Sequence, residues 1–144
     1  MFTSVNLRAA NAYKRIATET SVRSASPHQL VGLLFDALLE SIATAKGALA
    51  KGDIATKGSA IGKAVRIIEE GLKSGLNLEQ GGELAANLHA TYSYSVLRLT
   101  QANSLNDAGA LAEVARLIDP LADAWKKIDG PAPTSMQALQ SVGA

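Results

Sequence analysis

The chain has 144 residues, a formal net charge of +1 and a sequence pI of about 8.0, a balance that does not favour nucleic acid as partner. That length fits one domain, which buries roughly 68–70% of its unfolded surface and so has a real core. The absence of cysteine excludes a disulfide framework, a zinc–thiolate site and a cysteine nucleophile, and no apolar run approaches the ~20 residues of a membrane span or forms a signal-peptide core.

Five helical segments and no strands can be read in chain order. The first spans residues 4–18, with Val5, Ala9, Ala12, Tyr13 and Ile16 on one side and a basic outer face. A polar link over residues 20–25 precedes the most informative stretch, Ser26-Pro27-His28-Gln29, which is a complete helix start. Ser26 caps with its hydroxyl, Pro27 is tolerated in the first turn, and Gln29 reaches back to close a capping box. The helix that follows, residues 27–50, carries two apolar faces, one through 30, 34, 37 and 38 and one through 31, 35, 39 and 42. A bundle helix needs one such stripe. The surplus predicts that a further apolar helix lies against it.

Gly52-Asp53 makes a joint, with Asp53 as the cap of the next helix, residues 54–74. Its apolar positions Ile54, Gly58, Ile61, Val65, Ile68 and Leu72 step by four and three, the seam of a helix packed at a shallow angle. Residues 75–82 break the pattern. The fourth segment, residues 83–103, presents Leu84, Leu88, Tyr92, Ser95, Leu99 and Ala102. Asn106-Asp107 caps the fifth, whose seam is Leu111, Val114, Ile118, Leu121, Trp125 and Ile128. Pro120 predicts a kink or short break near Asp119. Residues 129–144, with Pro131, Pro133 and several polar side chains, read as a flexible tail. The expected architecture is all-α: an antiparallel up-down-up-down four-helix bundle over 27–128, with an extra short N-terminal helix, the whole forming one domain over 1–128.

No catalytic or metal chemistry assembles in this chain. There are two histidines, His28 in a first helical turn and His89 in mid-helix, and no Glu-x-x-His pair of the di-metal bundles. Gly58-Ser59-Ala60-Ile61-Gly62-Lys63-Ala64 is one residue short of a phosphate loop and follows no strand; Gly58 and Gly62 read as a close helix contact. Asp36 and Glu40, one turn apart, read as a solvated stripe. Nothing supplies a nucleophile, base and oxyanion site, so the chain is read as neither an enzyme nor a cofactor or metal binder. One alternative remains, a histidine phosphotransfer bundle using His89, although the Ala90-Thr91-Tyr92-Ser93 that follows it fits such domains poorly.

Several stretches together carry a resemblance. They are Asn11-Ala12-Tyr13, Ser24-Ala25-Ser26-Pro27-His28-Gln29-Leu30 running to Leu34-Phe35-Asp36, Gly52-Asp53, Leu78-Glu79-Gln80-Gly81-Gly82-Glu83 and Ala86-Asn87-Leu88. The series closes with Tyr92-x-Tyr94, Arg98-Leu99, Ala102-Asn103, Asn106-Asp107 and Asp123-Ala124-Trp125-Lys126. In this order and spacing, from about Ala9 to Ile128, the chain resembles the flagellin secretion chaperone family, FliS. The most specific pair is the Ser-Pro-His start with the Glu-Gln-Gly-Gly-Glu joint. The chain departs from the family pattern at Ala10, where a larger apolar residue is common, and at Ser93 and Leu97, where charged residues are common.

The resemblance implies a cytoplasmic chaperone that binds the C-terminal segment of flagellin, blocks premature filament assembly and aids delivery to the export gate, with Tyr13 and its surroundings involved in the handover. It agrees with the surplus apolar face, which suits a helix-in-groove mode of recognition. The residues expected to form the partner groove are Leu30, Leu33, Leu34, Ala37, Leu38, Leu88, Tyr92, Leu99 and Asn103. The aliphatic ones are also what a bundle core requires; Tyr92 and Asn103 have polar tips that a ligand backbone can satisfy. Residues 4–18 are expected to cover part of that groove in the free protein, which is also expected to form a weak homodimer. No nucleic acid and no direct membrane insertion are expected.

Overall fold

The computed structural model describes residues 26–128. The expected N-terminal helix over 4–18, Tyr13 and the expected tail over 129–144 lie outside the described residues. Four helical stretches make up the described fold: α1 (Pro27–Ala50), α2 (Ile54–Arg66), which runs on as a π-helix (Ile67–Lys73), α3 (Gly82–Leu105) and α4 (Ala108–Lys127). No strand occurs among the described residues, and no helix there is long and apolar enough to cross a membrane. Each helix packs on two neighbours: α1 on α2 and α4, and α3 on the same two. With the short turns between them, this is the expected antiparallel four-helix bundle.

Local chemistry sets the helix ends. The Ser26 hydroxyl accepts the Gln29 amide at 3.1 Å, while the Gln29 side chain accepts the Ser26 amide at 2.8 Å, which closes the capping box. Asp53 and Asp107 cap α2 and α4 by accepting the amides of Thr56 and Ala110. Asn106 ends α3 in the left-handed region at φ 52°, a conformation asparagine tolerates. At the α2–α3 joint, a Cβ on Gly81 would stand 2.5 Å from the Ala85 Cβ and 2.6 Å from the Asn77 carbonyl oxygen. Only glycine fits there. Gly82, at φ 59°, then turns the chain into α3.

The core runs the length of the bundle through Leu34, Leu38, Ile42, Ile61, Ile67, Ile68, Leu99, Leu111, Val114 and Ile118, all essentially sealed from solvent. Three sequence expectations are corrected. Ile54 is half exposed, and Lys57 is buried at 3% exposure in its place. Its ammonium donates to the Asn103 carbonyl at 2.8 Å and to Asn106 Oδ1 at 2.7 Å, so a cation meets the negative end of α3. Of the kink or short break expected at Pro120, the break does not occur: α4 runs from Ala108 to Lys127 as one helix; the proline and Arg116, whose carbonyl loses its partner, are both exposed, so water can take up that acceptor. Gly58 and Gly62 are not close-contact glycines, since a Cβ at either would find ordinary contacts of 3.7 and 3.8 Å.

Candidate partner-binding site

The residues expected to form one groove are spread along the bundle. Leu30, Leu34, Leu38, Leu88, Tyr92 and Leu99 belong to the core cluster, and Leu34, Leu38 and Leu99 have no exposure at all. Their side chains meet a visitor only if something that covers them moves. Leu33 and Ala37 are half-buried and pack on the edge of the core. Asn103 is exposed, but it lies beside Lys57 at the end of the bundle opposite to the start of α1. The apolar surplus read around Leu34 is therefore absorbed at Leu34 itself and emerges on the flank of α1, at Leu33 and Ala37.

Helical geometry extends that flank. Positions 33, 37, 40 and 44 step by four, three and four, so Leu33, Ala37, Glu40 and Thr44 share one stripe of α1. Its first half is apolar and its second half is polar. Further apolar side chains reach solvent elsewhere: Ile54, Leu78, Tyr94, Leu97 and Leu105 are each between 42% and 71% exposed.

The start of α1 is fixed by a clasp that sequence reasoning missed. The His28 ring stacks on the Trp125 indole, with centroids 4.9 Å apart and planes 17° from parallel. His28 Nε2 donates to the Trp125 carbonyl at 2.9 Å, and Trp125 Nε1 donates to the His28 carbonyl at 3.0 Å. His28 thus ties α1 to α4 and holds the Leu30–Leu33 turn in place. Asp36 and Glu40 are both exposed, as a solvated stripe requires, and Asp36 also pairs with Lys126 at 2.7 Å, while Glu40 lines a cleft against α2. Neither spacing nor composition signals these contacts, which join residues some 90 positions apart.

On α3, Tyr92 is 3% exposed, and burial pushes its phenol well above the ordinary range, so it stays protonated. Its hydroxyl bonds to no described residue. Tyr94 and Arg98 face α4. The Tyr94 hydroxyl donates to Glu113 Oε2 at 2.6 Å, and Arg98 Nε donates to Glu113 Oε1 at 2.7 Å. Those two hydrogen bonds hold the Glu113 carboxyl below its usual range. Donating to Glu113 raises the Tyr94 phenol. Half of the Tyr-x-Tyr motif is therefore core, and half is a surface tie. His89 is half-buried on α3.

A family model described as "Flagellar protein FliS" matches residues 9–132. The chain belongs to the FliS family. Among its relatives is the flagellar secretion chaperone FliS of Salmonella typhimurium, 45% identical over 128 residues that cover 89% of this chain and 93% of the relative. The flagellar secretion chaperone FliSB of Pseudomonas aeruginosa is 41% identical over 122 residues, 85% and 96% of the two chains. The FliS of Escherichia coli is 43% identical over 120 residues, 83% and 88% of the two chains. These FliS relatives bear the names of secretion chaperones, and the phosphotransfer reading of His89 finds no support in them.

Proposed function

We propose that this FliS-family chain binds the C-terminal segment of flagellin, keeps it from assembling before export and delivers it to the export gate. The supporting observation is the flank of α1, where Leu33 and Ala37 stay half open beside a sealed core. An amphipathic segment that must stay apart from its own kind finds there an apolar seat, in the helix-in-groove mode. Ordering such a segment costs about 2–5 kcal/mol of the gross interaction, which keeps release feasible. Tyr92 adds a hydroxyl that a partner backbone can satisfy, and it and Leu30, Leu34, Leu38, Leu88 and Leu99 become contacts of the same proposal once the elements that cover them move. Asn103 and Tyr13 are contacts of the same proposal, Tyr13 at the handover. Residues 4–18 cover part of the seat in the free chain and yield to flagellin.

The test is co-purification with flagellin, which is lost when the last helix of flagellin is removed. Leu33→Asp abolishes capture while helicity by circular dichroism is retained. Capture of flagellin lacking its last helix overturns the proposal.

A further inference from the structure

Between α1 and α2 lies a cleft of about 240 Å³. Its walls include Glu40, Ser41 and Thr44 from α1 and Ser59, Lys63 and Arg66 from α2. Three observations mark it as more than a gap between helices. Ser41 is only 5% exposed, and its hydroxyl, which bonds to no described residue, stays open to the cleft it lines. A hydroxyl held at the wall of a cleft without a protein partner is free to donate to a ligand. Lys63 and Arg66 both line the cleft without a carboxylate partner among the described residues, so the cleft wall carries two cations side by side on one helix. Glu40 and Thr44 are the polar half of the stripe whose apolar half is Leu33 and Ala37, so the cleft continues the proposed seat.

Size and chemistry restrict the occupant. Pockets for metabolites and cofactors are usually about 300–1,000 Å³, and this one is smaller. Two cations with hydroxyl donors suit a carboxylate, which arginine grips with two parallel bonds. The carboxylate of Glu40 at the rim disfavours a multiply charged anion such as phosphate. From these features we infer that the cleft takes one acidic side chain of the bound polypeptide, held by Arg66 and Lys63 with Ser41 donating from the floor. This rests on the reading of the α1 flank as the seat of flagellin. It adds a polar anchor that sets the register of an otherwise greasy, slippery contact.

The experiment titrates the full chain with a peptide of the flagellin C-terminal segment, by calorimetry at two salt concentrations. The paired change Lys63→Gln and Arg66→Gln, on solvent-reaching side chains, weakens binding about tenfold and flattens its salt dependence. Glu40→Gln has the opposite sign and tightens binding, which general destabilisation cannot mimic. Wild-type affinity in the paired variant overturns the anchor and leaves the seat standing. A peptide that does not bind the unmodified chain overturns both. Inorganic phosphate that shifts the Ser41 and Ser59 amide resonances when the peptide does not assigns the cleft to a free oxoanion and also overturns the inference.

Discussion

Replacing His28 with alanine removes one side of the clasp between α1 and α4, and the structure sets the size of the effect. The Nε2 bond to the Trp125 carbonyl is a neutral hydrogen bond at 2.9 Å, worth about 1 kcal/mol net. The stack on the indole adds about 0.5–1.5 kcal/mol. The Trp125 carbonyl keeps the Ile128 amide at 3.2 Å, so no acceptor is orphaned and no further penalty arises. The sum is a loss of about 2 kcal/mol. With a urea m-value of about 2 kcal/mol/M, the midpoint falls by about 1 M. Trp125 is the sole tryptophan, so its fluorescence follows the transition where the clasp sits. Trp125→Phe keeps a ring but deletes the Nε1 bond, and costs about 1 kcal/mol. The double variant measures the coupling directly. A His28→Ala midpoint within about 0.25 M of the parent, at unchanged m, refutes the clasp as a source of stability.

Ser95 is fully buried and its hydroxyl has no partner among the described residues; Ser95→Ala removes that burden and stabilises the fold by about 1 kcal/mol, read as a higher urea midpoint. Gly81→Ala pushes a methyl into the Ala85 Cβ and the Asn77 carbonyl and costs about 1–3 kcal/mol, measured as a lower melting temperature. The Glu113 carboxyl is held below its ordinary value of 4.5 by Tyr94 and Arg98. Its stabilisation is thus complete above that value and is lost as pH falls through the lower folded-state pKa; Glu113→Gln flattens the acid limb of a stability–pH curve. Deleting residues 1–18 uncovers the proposed seat, so flagellin binds more tightly and the free chain self-associates, both visible by calorimetry and light scattering.

The fold was legible because three of the four described helices carry their own start signal and each helix carries a seam. Ser26, Asp53 and Asp107 are caps that act within three residues, and the 3–4 spacing of Leu88, Tyr92, Ser95, Leu99 and Ala102 needs no tertiary knowledge. The site was less legible. Leu34 and Leu38 have the same periodicity whether a neighbouring element or a visitor covers them, so sequence places them on a face without saying what lies above. The burial of Lys57 has no local signal because its acceptors, the Asn103 carbonyl and the Asn106 side chain, are 46 and 49 residues away. The continuity of α4 through Pro120 turned on exposure, which composition does not reveal. The cleft could not be read because it needs Ser41 and Arg66 side by side, and only the pairing of α1 with α2 brings them there.

The long-range ties share a topology. His28 with Trp125 and Asp36 with Lys126 join α1 to α4; Lys57 with Asn106 joins α2 to α3 at the opposite end. Each tie therefore links the α1–α2 hairpin to the α3–α4 hairpin. Severing the chain between Ser74 and Gly82 would leave every one of these contacts intact as a rendezvous between two fragments, so the halves carry the instructions for finding each other without the covalent bridge.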